Sequence, residues 1–413
     1  MTIRVCFFVD ARSPIACGWI KSVAAAGVEA HVISTFPADS TGLPVRSFHV
    51  VPVAFSGLAQ GRTEEGSGRA PRLGGVRLRG SWASLALNTV RRWVGPLDVF
   101  RHVRRVRRIL DEIRPDLVHA MRIPYEGLLA TEALASTDIP LLVSIWGNDF
   151  TLHAARSWPL SIMTGRAMAR ADALHADCER DVRLACLRGF PSSRPHAVLP
   201  GNGGLDVTVF SPGAVNMASM AKWQIPTKAI IILNPRGMRA YVRNDTFFKA
   251  IPLVLRECPD AHFACVGMAG NRLAEKWVQD LDAGHAVTLL PPVSVLDMRD
   301  LFRAAPISVS PSEHDGTPNT LLEAMACGSF PVAGDLDSVR EWIRPGENGF
   351  LCDPSSPSDL AQKILCALKD RGLRQHAVRL NTALITKKAE CTAVRRESLQ
   401  LYRQTIEQRR LRV

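Results

Sequence analysis

Short apolar runs alternate with amphipathic stretches along almost the whole chain. The runs hold four to seven residues each and predict strands, whereas the stretches between them repeat apolar residues at helical spacing. The predicted strands are 3–9, 30–34, 48–53, 117–120, 141–145, 173–176, 229–233, 261–266, 287–290, 307–310 and 329–333. The predicted helices include 19–26, 100–113, 247–257 and 319–326. This β-α-β rhythm predicts an α/β protein with parallel sheets covered by helices.

A segment dense in glycine and proline, Leu199-Pro-Gly-Asn-Gly-Gly204, divides the series of strands into two halves. We expect an N-terminal domain over 1–205 and a second domain over 206–389, with a last helix at about 390–413 packing back on the first. The length of 413 residues fits two such domains. Two Rossmann-like domains facing each other would bind ligands at the carboxyl ends of their strands, in the cleft.

The positive charge is concentrated in one part of the chain. The formal net charge is +12, and the segment 62–114 alone holds 13 arginines, no lysine and five acids. A basic patch of this kind indicates an anionic partner, which is a phosphate compound, a nucleic acid or a membrane surface.

Several protein classes are excluded at this stage. The sequence contains no run of 18 apolar residues, so we expect no transmembrane helix, and the start of the chain lacks the pattern of a signal peptide. The ten cysteines are scattered without a C-x-x-C pair, so we expect free thiols in a reducing cytoplasm and no zinc site.

The predicted helix around 100–113 has one apolar face and several basic ones. The apolar face consists of Val99, Val103, Val106 and Leu110. The remaining faces carry Arg101, Arg104, Arg105 and Arg108. Three interpretations remain open: a solvated helix face, a membrane-surface element helped by the nearby Trp82, Leu85 and Trp93, or a nucleic-acid site. We favour the anionic membrane surface and expect no nucleic acid, since no recognised nucleic-acid module is present.

The segment 310–328 carries the strongest chemical signal. A predicted strand runs into a polar turn and then a helix, for which Thr317 is the expected N-cap and Pro318 the first helical residue. The free N–H groups of Asn319, Thr320 and Leu321 at such a helix end are suited to bind phosphate.

Two carboxylates bracket this helix end, Asp315 before it and Glu323 within it. A nucleotide sugar has a diphosphate in the middle and hydroxyl-rich rings at both ends, so each carboxylate can accept hydrogen bonds from one ring. The alternative is a capped helix with two solvated acids.

The spacing of these carboxylates resembles the E-x7-E signature of family 4 retaining glycosyltransferases of the GT-B fold, with Asp315 in place of the first glutamate. The stretch from Ala324 through Gly346-Glu-Asn-Gly-Phe-Leu351 continues the pattern. Leu199-Pro-Gly-Asn-Gly-Gly-Leu-Asp206 resembles the family's hinge. The resemblance covers nearly the whole chain and implies two facing Rossmann-like domains, of which the second binds the nucleotide sugar.

The resemblance also implies roles for individual residues. The expected catalytic residues are Asp315, Glu323, Arg236 and Arg243. The expected donor-binding residues are Gly316, Thr317, Asn319, Thr320, Leu321 and, in the first loop, Gly18. The expected acceptor-side residues are Trp146, Asn148, Asp149 and His119.

Two further assignments depart from the family's pattern. The family places an arginine and, about six residues on, a lysine against the donor diphosphate; Arg236 matches the arginine, while Val242 or Arg243 falls at the lysine. Arg239 is a third candidate cation. Trp146 stands where the family commonly has a histidine, which leaves Asn148 or Asp149 to supply the polar contact; Asp149 as a helix cap is the alternative.

These patterns together predict a retaining glycosyltransferase that moves a sugar from a nucleotide-diphosphate sugar to a lipid-linked or glycan precursor. The sequence offers no strong metal cluster and no Asp-x-Asp, so we expect no metal and no cofactor, with arginine and the helix end supplying the positive charge. We expect a cytoplasmic protein, peripheral on the inner face of the plasma membrane. A sugar-nucleotide epimerase or hydrolase, or a non-catalytic binding subunit, remains an alternative.

Overall fold

The chain forms two compact units. The computed structural model describes residues 2–59, 72–73, 76–77, 91, 93–154, 157–226 and 228–412. Unit 1 comprises Met1–Gly204 and Val394–Val413, and unit 2 comprises Leu205–Ala393. The predicted boundary after residue 205 lies one residue from this division.

Unit 1 is built on a seven-stranded parallel sheet in the order β3-β2-β1-β6-β7-β8-β9. Its strands are β1 (Arg4–Val9), β2 (Glu29–Ser34), β3 (Ser47–Val50), β6 (Leu117–Ala120), β7 (Leu141–Ile145), β8 (Ala173–Ala176) and β9 (His196–Val198). A separate two-stranded antiparallel ribbon pairs β4 (Arg72–Leu73) with β5 (Val76–Arg77). The order of the strands reverses between β1 and β6, and ligands bind at such switch points in open α/β sheets.

Helices cover both faces of this sheet. They are α1 (Pro14–Ala24), α2 (Gly95–Ile113), α3 (Leu128–Ala133), α4 (Trp158–Arg170), α5 (Glu179–Leu187) and the returning C-terminal helix α14 (Cys391–Arg410). Successive residues of β1 point to opposite faces, so Phe8 joins the core under α2 and α4 while Phe7 joins the core under α1 and α14. Burial on both faces explains why these strands are continuous apolar runs.

Unit 2 contains a six-stranded parallel sheet in the order β12-β11-β10-β13-β14-β15. Its strands are β10 (Ile230–Asn234), β11 (Ala261–Cys265), β12 (Val287–Leu289), β13 (Ile307–Ser310), β14 (Phe330–Gly334) and β15 (Phe350–Cys352). Its helices are α6 (Met217–Lys222), α7 (Asn244–Glu257), α8 (Arg272–Asp280), α9 (Val295–Ala304), α10 (Asn319–Cys327), α11 (Asp337–Arg340), α12 (Pro357–Lys369) and α13 (Arg371–Lys388). The switch point of this sheet lies between β10 and β13.

The α/β prediction is confirmed, with two parallel sheets flanked by helices. Helix α2 begins five residues before the predicted start, at Gly95. Its buried face contains Val99, Val106 and Leu110 as predicted, whereas Val103 is only half-buried and Ile109 and Ile113 complete the face. None of the described helices is long and apolar enough to cross a bilayer.

Candidate functional site

The loops that follow β10 and β13 meet at the switch point of unit 2. Arg236 lies in the first loop and Asp315 in the second, and their side chains form an ion pair with Nη2 of Arg236 2.5 Å from Oδ2 of Asp315. Both side chains are largely buried, 7% and 12% exposed respectively. A buried pair at this position fixes the direction of the guanidinium.

The guanidinium of Arg236 also reaches the start of α10. Its Nη1 donates to Oγ1 of Thr320 at 3.4 Å, and its backbone N–H donates to Oδ1 of Asn234 at 3.2 Å. Asn234 is itself held by Asn244, whose amide donates to the Gly237 carbonyl. Nε of Arg236 is buried and has no hydrogen-bond partner within the described residues, so this cation keeps an unused donor.

The N-cap prediction for α10 is wrong. Pro318 occupies the N-cap position in an extended conformation, and no side chain caps the helix. Thr317 is unavailable as the cap because its Oγ1 accepts a hydrogen bond from Nε1 of Trp342 at 3.0 Å. The loop is further braced by Ser338, whose hydroxyl donates to the Asp315 carbonyl.

This geometry leaves first-turn donors open. The N–H of Leu321 donates to the Pro318 carbonyl at 3.0 Å, whereas the N–H groups of Asn319 and Thr320 have no acceptor in the described part of the chain. The N–H of Gly316 donates to the Asp315 carboxylate. The uncapped end of a nine-residue helix beside a buried arginine is therefore suited to an anion.

Glu323 lies one turn into α10. It has no hydrogen bond or ion pair to any described residue. Burial raises the pKa of Glu323 to about 7, and the positive charge of Arg236 partly offsets that rise. A half-buried carboxylate without a partner is available to accept hydrogen bonds from a ligand.

The charge of Arg243 is already paired. Arg243 is the N-cap residue of α7 with φ of 21°, and its guanidinium binds Asp245 through two hydrogen bonds of 3.0 Å. Glu313 is a second partner at 3.4 Å. The hydrogen bonds from Arg243 lower the pKa of Asp245, while those to Asp245 raise the pKa of Arg243. Arg239 is exposed and donates to the Tyr241 hydroxyl.

The switch point of unit 1 holds a second arginine–aspartate pair. Nε of Arg122, just after β6, donates to Oδ1 of Asp149 at 3.1 Å, and the N–H of Trp146 donates to Oδ2 of Asp149 at 3.2 Å. Both oxygens of the fully buried Asp149 are thus engaged within the protein. Arg122, which is 34% exposed, is the member of the pair that reaches solvent.

Two further carboxylates surround Arg122, and the sequence patterns missed both of them together with Arg122 itself. Glu126 is 3% exposed and accepts a hydrogen bond from the Thr35 hydroxyl at 2.6 Å. Burial raises the pKa of Glu126, and the Thr35 hydrogen bond and Arg122 partly oppose that rise. Asp10, at the end of β1, is close enough to raise the pKa of Arg122. Only the position of these residues at the strand ends indicates a site.

Trp146 and Asn148 lie in the loop after β7, as predicted. Each is half-buried, and Nε1 of Trp146 and Oδ1 of Asn148 are buried atoms without a hydrogen-bond partner within the residues described. One donor and one acceptor beside Arg122 are suited to a hydroxyl-bearing ligand.

His119 is a core residue rather than an acceptor-side one. It is completely buried, and its two ring nitrogens contact Tyr402 and Ser144 at 2.9 and 2.7 Å. The Ser144 hydroxyl in turn contacts Nδ1 of His175, whose Nε2 contacts the Leu199 carbonyl.

The direction of this hydrogen-bonded chain follows from its two ends. The indole of Trp19 only donates, here to the Tyr402 oxygen at 2.8 Å, and the Leu199 carbonyl only accepts. With both histidines neutral, every intermediate group donates in the same direction, which places their protons on Nε2. Burial lowers the pKa of His119 well below its ordinary value and that of His175 to about 4, which agrees with this assignment.

Gly18 lies within helix α1 rather than in a phosphate-binding turn. A Cβ at this position would lie 2.7 Å from the carbonyl oxygen of Asn202. Close packing of the helix against the segment 199–204 therefore accounts for this glycine.

Metal ligands come together at one place in the described residues. Oxygen and sulfur atoms of Asp177, Cys178 and Asp181 lie within 4.8 Å of one another. Arg180 already pairs with Asp181 at 2.9 Å, and burial raises the pKa of the Cys178 thiol, so the group is poorly suited to bind a cation.

The arginines of α2 lie on its outer surface. Arg101, Arg104, Arg105 and Arg108 are all exposed. Arg105 donates to the Val50 carbonyl and Arg101 lies 3.8 Å from Asp98, whereas Arg104 and Arg108 have no hydrogen bond or ion pair to the described residues. Trp82 and Leu85, named with this helix above, lie outside the described residues.

Family models match both halves of the chain. Residues 14–201 match the model described as "Glycosyl transferase 4-like domain", and residues 232–370 match the one described as "Glycosyl transferases group 1". The first match lies in unit 1 and the second in unit 2.

Curated relatives are D-inositol 3-phosphate glycosyltransferases. The protein of Catenulispora acidiphila is 26% identical over 273 residues, which are 62% of this chain and 64% of that one. The protein of Thermobispora bispora is 27% identical over 43% of each chain. The chain thus matches about half to two thirds of the length of these relatives.

Solved structures share the whole fold. Sucrose-phosphate synthase from Thermosynechococcus elongatus superposes with a TM-score of 0.73 at 16% identity, covering 97% of this chain and 98% of that one. HepE from Anabaena in complex with UDP has a TM-score of 0.71 at 15% identity, covering 96% and 99%.

Proposed function

Because the chain is a GT-B protein whose two halves are similar to family 4 glycosyltransferase domains, we propose that it is a glycosyltransferase. It transfers a sugar from a nucleoside-diphosphate sugar to a hydroxyl group of a lipid-linked or glycan precursor. The observation that carries this proposal is the buried Arg236–Asp315 pair beside the uncapped start of α10.

Unit 2 binds the donor in this proposal. The diphosphate lies against the guanidinium of Arg236 and the N–H groups of Asn319 and Thr320, which have no other acceptor in the described segments. Glu323 accepts hydrogen bonds from one hydroxyl-bearing ring of the donor, and Asp315 accepts from the other. Arg243 acts at a distance, since Asp245 and Glu313 already neutralise it.

The reaction proceeds with retention of the anomeric configuration and without a metal ion. The acceptor oxygen forms a bond to the anomeric carbon on the face from which the diphosphate leaves. The bond between that carbon and the phosphate oxygen breaks, and the acceptor proton passes to a phosphate oxygen. Arg236 and the α10 amides stabilise the charge that develops on the leaving diphosphate.

Titration with nucleotides tests the donor site. UDP is the first probe because HepE binds it, with UDP-glucose, GDP and GDP-mannose as further probes. We expect one nucleotide to bind in the presence of EDTA, and Arg236→Ala to weaken it by about a hundredfold. Arg239→Ala, in the same loop but exposed, is the matched control and should bind as the unaltered protein does.

Product analysis separates transfer from the alternatives. The donor is incubated alone and then with D-inositol 3-phosphate, the acceptor in the names of the curated relatives, or with a lipid extract. A new glycoside that forms only with acceptor supports transfer. Free sugar from donor alone indicates a hydrolase, and binding without any product indicates a non-catalytic subunit.

A further inference from the structure

Two helices of unit 1 expose large apolar side chains within their first two turns or, for Trp93, two residues before the helix begins. At the start of α2 these are Trp93, Leu97 and Phe100, which are 47%, 62% and 39% exposed. At the start of α4 they are Trp158 and Ile162, which are 66% and 56% exposed. Exposed clusters of this kind mark contact sites, whereas single exposed apolar residues need no explanation.

The exposed face of α2 changes from apolar to basic along the helix. Positions 93, 97, 100, 104 and 108 follow one another in steps of three or four residues and so share one side of the helix. The first three are the apolar residues, and the last two are Arg104 and Arg108, both exposed and without a partner among the residues described. The opposite side, with Val106 and Leu110, packs into the core.

Helix α4 repeats the same order. Trp158 and Ile162 are followed at the next four-residue step by Arg166, whose side chain is 52% exposed and forms an ion pair with Glu132 at 2.6 Å. The two helices contact one another and pack into the same core on one face of the sheet. Two neighbouring elements thus present an apolar end, and α2 supplies most of the positive charge beside it through Arg104 and Arg108.

Both apolar ends lie at the carboxyl edge of the sheet. A crossover helix between parallel strands runs antiparallel to them, so it begins where the strands end. For α2 the contacts agree: Gly95 lies beside the Tyr125 ring, and the Tyr125 hydroxyl donates to the Arg91 carbonyl at 2.9 Å. Tyr125 belongs to the loop after β6 that also holds Arg122 and Glu126.

We propose that this edge of unit 1 inserts into an anionic membrane surface through the first turns of α2 and α4. A bilayer presents an apolar interior beneath an anionic headgroup layer, and both helices carry apolar and cationic side chains in that order. Tryptophan at the level of the headgroups is typical of such contacts. The inference deepens the proposed function, on which it rests for the acceptor: a lipid-linked acceptor would reach the Arg122 loop from the membrane.

Co-sedimentation with vesicles of phosphatidylcholine and phosphatidylglycerol in a 7:3 ratio tests the surface. Leu97→Ser/Trp158→Ser should lower the partition coefficient at least tenfold at any salt concentration. Arg104→Gln/Arg108→Gln should lower it by about fivefold per arginine at low salt and hardly at all in concentrated salt. The matched controls are Leu187→Ser, 83% exposed at the far end of α5, and Arg396→Gln/Arg403→Gln on exposed positions of α14.

Brominated phosphatidylcholine reports insertion directly, because bromine quenches tryptophan at short range. We expect quenching in the unaltered protein and its loss in Trp93→Phe/Trp158→Phe, which keeps the apolar character. Any of three results would overturn the proposal. They are no binding of the unaltered protein to vesicles, binding by the Leu97/Trp158 variant equal to that of the unaltered protein, and undiminished quenching in the Trp93/Trp158 variant. UDP titration of the unaltered protein and the same variants separates the two hypotheses. If none of these proteins binds UDP, the donor site is refuted, whereas the vesicle result is unaffected.

Discussion

The two sheets place a similar arginine–aspartate pair at the same point of their topology and surround it differently. In unit 2 the pair is Arg236–Asp315, at the switch point between β10 and β13, and the arginine is 7% exposed. In unit 1 the pair is Arg122–Asp149, beside the switch point between β1 and β6, and the arginine is 34% exposed.

The surroundings decide what each pair can bind. Arg236 lies beside the uncapped start of α10 and one carboxylate, Glu323, that is half-protonated near neutral pH. Arg122 has Glu126 and Asp10 beside it in addition to Asp149. Arg12 pairs with Asp10 at 2.9 Å, so that carboxylate is already compensated in unit 1. The N–H groups at the start of α10 favour an anion in unit 2, whereas Nε1 of Trp146 and Oδ1 of Asn148 favour a hydroxyl-bearing ligand in unit 1.

The largest effect is expected from removing each arginine and measuring nucleotide affinity. Arg236→Ala should weaken UDP binding by about a hundredfold in calorimetric titration, since it removes a charged donor and the ion-pair partner of Asp315. Arg122→Ala should leave UDP affinity unchanged. An equal loss of UDP affinity in both variants would contradict the proposed difference between the two ion pairs.

Much of the fold follows from the apolar pattern. Strands β6, β7, β8 and β13 have the predicted bounds because each is a short apolar run bounded on at least one side by aspartate or proline. The prediction missed β9 and β15, which hold three residues each and form sheet edges. Both are stabilised by pairing with the neighbouring strand, which their three residues alone do not reveal. Strand β12, also an edge strand of three residues, was predicted because it lies in the four-residue run 287–290.

The site was predictable only where a motif marks it. Arg236, Asp315 and Glu323 follow from spaced motifs, and the structure brings the first two into contact. Arg122 and Glu126 have no motif, and only the strand order reveals their position.

Long-range partners account for two of the wrong assignments, those of His119 and Thr317. His119 ends a strand as expected, but its partner Tyr402 is 283 residues away. Thr317 has the right residue type for a cap, yet Trp342 binds its hydroxyl.

The buried hydrogen-bonded chain of unit 1 gives the next largest effect. Tyr402→Phe removes the hydroxyl that accepts from Trp19 and donates to His119, so two buried groups lose their partner. We expect the free energy of unfolding to fall by about 2–4 kcal/mol in urea denaturation. Tyr241→Phe, which removes a hydroxyl bonded only at the surface of unit 2, is the control and should change it by less than about 0.5 kcal/mol. A cost no larger than that of the control would contradict the proposed network.

The stability of the two units should change with pH in opposite directions. Glu323→Gln tests the contribution of Glu323 in unit 2. The folded-state pKa of Glu323 is about 7, above its value in an unfolded chain, so folded unit 2 binds the extra proton and loses stability as the pH rises from 4.5 to 7. His175 has a folded pKa of about 4, below its unfolded value of 6.5, so unit 1 loses stability as the pH falls through that interval.

Without nucleotide, Glu323→Gln should therefore raise the stability of unit 2 at pH 8 by at most about 3 kcal/mol and weaken UDP-sugar binding. Hydrogen exchange resolved by peptide measures each unit separately at pH 5.5 and 8. Protection that moves in the same direction in both units would rule out this assignment of protons.

The smallest effect is expected from Asp149→Asn. Comparing its cost in stability with that of Asp315→Asn tests the difference between the two ion pairs directly. Asp149→Asn keeps an oxygen that can still accept from the Trp146 N–H or from Arg122, whose side chain is one-third exposed and can be partly solvated. We expect a cost of about 1 kcal/mol in the free energy of unfolding of unit 1 and no change in UDP affinity. Asp315→Asn should cost about 3 kcal/mol in unit 2, because the guanidinium of Arg236 is almost wholly buried and its Nε already lacks a partner in the described chain. Equal costs would mean that burial does not distinguish the pairs, and the charges around each arginine would then have to account for any difference in what they bind.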